Sequence, residues 1–191
     1  MKLIENLKCH PLTPERWADF EELFGPRGAY GGCWCMWWRL ARKEFEQQQG
    51  AGNKQAMKNL VKNGTVPGIL GYVDKEVAAW CSVSSREDYS ALNRSRILKP
   101  IDDRPVWSIV CFYIAKSFRG QGTLLQLIRG AVDYVKKNGG EVVEAYPTLP
   151  RGKDLPPVSS FMGLPEVFEK AGFEMCARPS AAKVIMRYYI S

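Results

Sequence analysis

Residues 106–137 read VWSIVCFYIAKSFRGQGTLLQLIRGAVDYVKK, and they set the architecture of the whole chain. The first ten form the most hydrophobic run in the sequence, rich in β-branched and aromatic side chains, which predicts a buried central strand over 106–115. Apolar residues then recur at helical spacing from Leu124 to Val135, so we expect an amphipathic helix over 123–137. A buried strand followed by a helix indicates an α/β domain.

A basic, glycine-containing turn, Arg119-Gly120-Gln121-Gly122-Thr123, joins the predicted strand to the predicted helix. The first turn of a helix has backbone N–H groups without internal partners, at the positive end of the helix dipole. Gly120 and Gly122 carry no side chains that would keep a pyrophosphate from those donors, Arg119 adds a charged donor, and Thr123 adds a hydroxyl. The turn is therefore predicted to bind a pyrophosphate. The alternative is an ordinary turn in which the glycines serve only the geometry.

Shorter elements surround this centre. Thr13-Pro14-Glu15 is typical of a helix start, and Asn53 is an expected cap for a second helical segment. No repeat or long linker divides the chain, so we expect a single domain over residues 1–191. The predicted elements are helical segments at 14–24, 40–62 and 165–171, strands at 68–73, 76–84, 142–146 and 183–190, and loops at 85–104 and 147–157.

The composition is that of a globular, cytoplasmic protein. Hydrophobic residues make up 46% of the 191 residues, which is enough for a full core. No run approaches the roughly 18 apolar residues of a membrane span, and charge interrupts the N-terminus too early for a secretion signal. The six cysteines are therefore expected to be reduced. The net charge of +7 favours an anionic partner, and a phosphate-rich small molecule satisfies it as well as nucleic acid does.

The order of elements resembles that of a known family from about Gly68 to the C-terminus. The glycine turn and the segment Val167-Phe168-Glu169-Lys170-Ala171-Gly172-Phe173 are similar to the core of the GNAT superfamily of N-acetyltransferases. Its fingerprint, Q/R-x-x-G-x-G/A, lies between the fourth strand and the third helix. Arg119 and Gly122 match its first two fixed positions, and Leu124 stands where Gly or Ala is usual. The segments GGCWCMWWR and VWSIVCF resemble a bacterial GNAT subfamily.

The resemblance implies an α/β (α+β) GNAT fold, with a mixed sheet of about six to seven strands, a splayed fourth strand and flanking helices. It implies acetyl-CoA as co-substrate, without a metal. Residues 1–64 would form one wall of the acceptor site, and residues 65–191 would bind acyl-CoA. The groups implied to hold the cofactor are the backbone of Phe112, Tyr113 and Ile114, together with Arg119, Gly120, Gln121, Gly122, Thr123 and Leu124.

Acyl transfer from a thioester to an amine needs positioning, carbonyl polarisation, a base and an acid. The resemblance implies direct attack of the amine in a ternary complex. Phe168 stands where many relatives carry the tyrosine that protonates the CoA thiolate, and Ser108 aligns with a catalytic glutamate. We expect Tyr146 to act as the acid, Glu144 as the base or amine anchor, and Ser108 to order a water. The alternative is that Glu144 is a surface charge and Tyr146 packs against Pro147.

Three of the six tryptophans lie within residues 32–39. Trp34 and Trp37 are predicted to form an aromatic wall that binds an apolar or cationic acceptor. The alternative is that this segment packs in the core. Its two thiols, Cys33 and Cys35, would need further ligands for a zinc site, so no metal is expected.

Hydrolase chemistry has little support, because His10 is the only histidine and is expected in a surface loop. Cys111, inside the central strand, is expected to be inert packing. The expected acceptor is a small-molecule or peptide amine, with no nucleic acid or membrane partner, and the protein is expected to be a monomer or homodimer. A non-catalytic acyl-CoA-binding module is the alternative that Phe168 and Ser108 keep open. The interpretation of the chain as a nucleic-acid-binding protein rests on its net positive charge alone.

Overall fold

The computed structural model describes residues 3, 4, 6–149 and 161–191 and shows one mixed sheet flanked by helices. Within these residues the seven strands are β1 Lys8–Pro11, β2 Ile69–Val73, β3 Glu76–Ser85, β4 Trp107–Ile114, β5 Val142–Ala145, β6 Glu174–Ser180 and β7 Lys183–Tyr189. The α-helices are α1 Trp17–Phe24, α2 Arg42–Gln47, α3 Ala51–Lys62, α4 Ser90–Asn93, α5 Thr123–Lys137 and α6 Pro165–Lys170. The strand order β1-β2-β3-β4-β5-β7-β6 confirms the predicted fold class and strand number.

The fourth strand separates from the fifth, as expected. β4 pairs with β5 in parallel only from Trp107 to Ile109, although β4 continues to Ile114. On its other side β4 remains paired with β3 from Trp107 to Ile114. Among the described residues, the half of β4 beyond Ile109 therefore has no strand partner on the β5 side, and the sheet opens there.

Helices cover both faces of the sheet. The apolar stripe of α5, which includes Leu127, Ile128 and Ala131, is buried against β1, β2, β3 and β4, and each such Leu or Ile side chain contributes about 1.5–3 kcal/mol. The N-terminal helices pack on the opposite face around Trp80, which is fully buried. The predicted helix over 123–137 is confirmed to the residue.

Local predictions outside this centre were less accurate. Asn53 is not a helix cap: it lies inside α3, buried, where its amide donates to the carbonyl of Gly32 at 3.3 Å. The segment 85–104, predicted as a loop, contains α4, and His10 lies in β1 rather than in a loop. β6 was not predicted, because its mostly exposed side chains show no strand alternation. Most of the predicted loop at 147–157 lies outside the described residues.

Across the residues that the structure describes, no helix is both long and apolar enough to cross a membrane.

Candidate functional site

A cavity of about 1380 Å³ opens beside the unpaired half of β4. Residues of the N-terminal part, such as Tyr30 and Trp37, form one side of it, and the start of α5 forms another. Of the nine residues predicted to hold a cofactor, the structure brings eight to this cavity: Phe112, Tyr113, Ile114, Arg119, Gly120, Gly122, Thr123 and Leu124.

The N-terminus of α5 opens on this cavity. Gly122 precedes the helix in the left-handed conformation, with φ 81°, and Gly120 has φ 72°. Such φ values favour glycine because a side chain would meet its own backbone. In the described part of the chain no side chain caps this helix start, so its first N–H groups face the cavity edge without a side-chain partner.

Two residues of the turn hold its shape. The Thr123 hydroxyl donates to the carbonyl of Phe118 at 2.6 Å and is buried, so it is not directed at a ligand as predicted. The Gln121 side chain donates to the Ser117 carbonyl at 2.6 Å, and the backbone carbonyl of Gln121 accepts from the N–H of Ile4 at 2.9 Å. Gln121 is the one predicted cofactor residue that does not line the cavity.

Arg119 supplies a positive charge at the same place. Its Nε donates to the carbonyl of Ile114 at 2.8 Å, while the side chain remains exposed and its guanidinium lies 6.0 Å from the centre of the Tyr113 ring. This contact uses one donor of a five-donor group, which leaves the others available to an anion. Charge and free N–H groups therefore converge on one edge of the cavity.

The backbone of β4 is partly engaged. The N–H of Phe112, predicted to pair with the cofactor, donates to the carbonyl of Phe161 at 2.7 Å. The Phe112 side chain packs against Phe168, which is fully buried with its ring centre 6.0 Å away. A ligand that pairs with this amide would have to replace the Phe161 carbonyl.

The three predicted catalytic residues meet in a buried network instead of in the cavity. The Tyr146 hydroxyl donates to Glu144 at 2.7 Å, so Ser108, 2.8 Å from the same hydroxyl, is the donor in that contact. Ser108, Glu144 and Tyr146 are each 0% exposed, and none of these described residues lines the cavity. Full burial closes them to a substrate, so the geometry gives no support to their catalytic roles, which stay predictions. Glu144 is buried, so the alternative interpretation, in which Glu144 is a surface charge, is wrong.

Two arginines neutralise Glu144. Arg86 Nη1 lies 3.1 Å from one carboxylate oxygen, and Arg187 Nε lies 2.8 Å from the other. Arg187 also pairs with Asp102 at 2.6 Å. Burial, followed by the Glu144 charge, raises the pKa of Tyr146 well above its usual value. The sequence analysis missed these partners, since Arg86 and Asp102 lie in a polar segment without a motif.

The two predicted substrate tryptophans separate. Trp37 is 43% exposed, lines the cavity and meets the Phe45 ring edge-on at 5.1 Å. Trp34 is 3% exposed and stacks on Phe24 in the core, with 5.6 Å between ring centres. Because Trp34 does not line the large cavity, only Trp37 stands where the predicted acceptor wall requires it.

Three thiols, of Cys33, Cys35 and Cys111, lie on the wall formed by the N-terminal part and β4. The indole N–H of Trp80 donates to the sulfur of Cys35 at 3.1 Å. In the described ranges, no group of three or more His, Cys, Asp or Glu side chains is placed to hold a metal ion.

Solved structures share this architecture at low sequence identity. An acetyltransferase of the GNAT family from Streptococcus agalactiae superposes with TM-score 0.57 at 15% identity, covering 100% of this chain and 99% of the other. The PaiA N-acetyltransferase of Thermoplasma acidophilum, in complex with coenzyme A, gives 0.51 at 12%, covering 97% and 99%. The ribosomal-protein-alanine N-acetyltransferase of Brucella melitensis gives 0.51 at 13%, covering 96% and 100%. These likenesses show the fold.

Sequence comparison identifies the family. None of the curated proteins compared with the chain matches it. The model of the acetyltransferase (GNAT) family matches residues 34–151, which is more than half of the chain and includes β4, the glycine turn and α5. With the splayed sheet and the open helix start, this match leads to one conclusion: the chain belongs to the GNAT acetyltransferase family.

Proposed function

We propose that this protein transfers an acyl group from acyl-CoA to an amine by direct attack within a ternary complex. The observation that carries the proposal is the convergence of Arg119, the open start of α5 and the unpaired half of β4 on one cavity. A diphosphate fits the first two, since helix N-termini and guanidinium groups bind phosphate oxygens. The thioester arm of the cofactor fits along the unpaired half of β4.

In this proposal the cofactor extends from the glycine turn along β4. The diphosphate lies at Gly120–Leu124, and the pantetheine amides pair with backbone groups between Phe112 and Ile114. The Phe161 carbonyl leaves the Phe112 N–H when that pairing forms. The presence of coenzyme A in the structure of the Thermoplasma relative supports a cofactor of this class for the shared fold.

The acceptor enters against the N-terminal part, residues 1–64. Tyr30, Trp37 and Phe45 give this side of the cavity an aromatic surface, which suits an apolar group next to the attacking amine. Because an ordinary thiol has a pKa near 8.5, the CoA thiolate can leave at neutral pH without a dedicated acid. The reaction therefore does not require a tyrosine at Phe168.

The affinity of Arg119→Ala for CoA tests the binding site. We expect calorimetry to show CoA binding at least about tenfold weaker, because a charge-assisted contact to the diphosphate is lost. Arg129→Ala is the matched control: Arg129 is exposed on the same helix, α5, and does not line the cavity. Equal affinities of the two variants would show that the diphosphate lies elsewhere.

A non-catalytic acyl-CoA-binding module is the second candidate. The burial of Ser108, Glu144 and Tyr146 favours it, because the predicted acid and base are closed to a substrate. Chromatographic measurement of CoA release from acetyl-CoA with a panel of primary amines distinguishes the two. Release above the amine-free rate supports the enzyme, whereas binding without amine-dependent release supports the module.

A further inference from the structure

The turn between α1 and α2 presents an exposed aromatic side chain at the cavity. Tyr30 lies in this turn, lines the cavity and is 71% exposed. Ala29, next to it, has φ 64°, in the left-handed region that residues other than glycine rarely adopt. Such a conformation is costly, and a ring that stays in water returns little of that cost through burial. Packing within the described chain therefore does not explain the turn, whereas a ligand that covers the ring would.

Hydrogen bonds hold this turn against the start of α3. The N–H of Gly50 donates to the carbonyl of Gly32 at 3.0 Å, and the Asn53 side chain donates to the same oxygen at 3.3 Å. The Gln49 side chain donates to the carbonyl of Gly31 at 2.5 Å. The backbone that carries the exposed tyrosine is therefore tied to a helix, so its ring has a defined place at the cavity.

Further aromatic rings border the same cavity. Trp37 is 43% exposed, and the buried ring of Phe45 supports it edge-on at 5.1 Å. Tyr113 of β4 also lines the cavity, and its ring centre lies 5.4 Å from that of Phe24. Aromatic side chains therefore line the cavity both on its N-terminal side and on the strand proposed to hold the thioester arm.

The side chains around these rings favour an aromatic acceptor over a polycationic one. On the N-terminal side the described lining residues are aromatic, small or thiol-bearing apart from Gln49, and none of them is a carboxylate. The Gln49 amide already donates to Gly31. A second ammonium group on the acceptor would lose water here and regain only cation–π attraction. A neutral ring loses no such hydration, and its contact with tryptophan and tyrosine rings adds to the gain from burial.

We propose that the acceptor is a primary amine that carries an aromatic ring, and that Tyr30 and Trp37 bind this ring. The inference rests on the proposed function and names its substrate class. With the ring on the N-terminal side, the amine is directed towards β4 and the thioester. The bond from the amine nitrogen to the acyl carbon forms, the bond from that carbon to the CoA sulfur breaks, and the proton lost by the nitrogen goes to the CoA thiolate. The products are the amide and CoA.

Three amines test the substrate class on the wild-type protein with acetyl-CoA: phenethylamine, hexylamine and hexamethylenediamine. They share a primary amine on an alkyl carbon, and they differ by a ring or by a second ammonium group. We expect kcat/KM, measured as CoA release, to be about fivefold higher for phenethylamine than for hexylamine, because of the contacts between rings. Over hexamethylenediamine the expected excess is at least about tenfold. Equal or higher values for either alkyl amine would refute the inference.

Variants then locate the ring. Tyr30→Ala and Trp37→Ala are each expected to reduce the preference for phenethylamine over hexylamine to at most about twofold, mainly by raising KM for phenethylamine. Tyr30→Phe is expected to keep the preference, because the ring and not the hydroxyl makes the contact. Tyr189→Ala is the matched control: Tyr189 is 44% exposed and does not line the cavity. An equal loss of rate with both amines would indicate a merely structural role and refute the assignment.

The same measurements separate a failure of this inference from a failure of the proposed function. If the amines release CoA without a preference for the ring, the aromatic acceptor is refuted and acyl transfer stands. If none of the three amines releases CoA above the amine-free rate, both the aromatic acceptor and the proposed acyl transfer are refuted. Calorimetry with CoA on each variant then shows whether the acyl-CoA site is intact.

Discussion

The two halves of β4 differ in what they meet on the side of β5. From Trp107 to Ile109 the strand pairs with β5. The buried carboxylate of Glu144 lies there, paired with two arginines. Beyond Ile109 the strand is unpaired and borders a cavity with Arg119 and Cys35 on its walls. A buried network of charged and polar side chains therefore marks the paired half of the strand, while backbone groups and thiols line the cavity at the unpaired half.

A large effect on stability is expected from the closed half. Glu144→Gln leaves two buried guanidinium groups without their shared carboxylate, which we expect to lower the free energy of unfolding by about 3 kcal/mol. Urea unfolding measures this change. Glu141→Gln is the control, because Glu141 is exposed immediately before β5. If Glu144→Gln lowers the free energy of unfolding no more than the control does, the account of the buried network as a stabilising element is wrong.

The two tryptophans of the N-terminal part should respond in opposite ways. Trp34→Ala removes a core ring and is expected to cost about 3–5 kcal/mol of stability. Trp37→Ala, at a half-exposed cavity residue, is expected to change stability by less than about 1 kcal/mol and to raise the KM for the acceptor amine. Thermal unfolding and steady-state kinetics provide the two measurements. If Trp34→Ala raised the KM for the acceptor amine without loss of stability, the assignment of Trp34 to the core would be wrong.

Gly122 and Gly139 form a matched pair at the two ends of α5. Their φ values, 81° and 76°, are both left-handed, so an alanine at either position is expected to cost about 1 kcal/mol. Only Gly122→Ala adds a methyl group at the proposed diphosphate site, and we expect it to weaken CoA binding about tenfold while Gly139→Ala does not. Calorimetry with both variants checks this. Equal CoA affinities would contradict the proposed contact.

A smaller, pH-dependent effect is expected at Lys183. Burial lowers the pKa of its amine from 10.5 to about 8, and the amine donates to the Thr148 hydroxyl at 2.7 Å. Between pH 8 and 10.5 the unfolded chain binds more protons than the folded one, so stability rises with pH across this window. We expect Lys183→Met to flatten that rise by on the order of 1 kcal/mol, after screening by solvent. Urea unfolding at several pH values measures the difference, and an unchanged slope would contradict the lowered pKa.

Local patterns predicted the centre of the fold well. The helical spacing from Leu124 to Val135 gave α5, and the apolar run gave β4, because both elements bury their own periodic side chains. The splay was an expectation from the family resemblance, and the structure confirms it. Asn53 was misplaced because its partner, the Gly32 carbonyl, lies in a distant turn that local rules do not include.

The candidate site was less accessible to sequence reasoning. Glu144 stood at the end of a predicted strand, and nothing near it in sequence indicated that Arg86 and Arg187 would enclose it. The packing of Cys111 against the N-terminal cluster that contains Cys35 likewise depends on how the N-terminal part folds over β4. The glycine turn was predictable because its ligand-binding groups are consecutive in the chain.

Amide chemical shifts on binding of CoA test the central claim most directly. In protein labelled with ¹⁵N, we expect the amide resonances of Gly122, Thr123 and Leu124 to shift strongly with CoA and little with pantetheine, which lacks the diphosphate. Equal shifts with the two ligands, or binding of CoA that leaves these three amides unchanged, would contradict a diphosphate held by the start of α5.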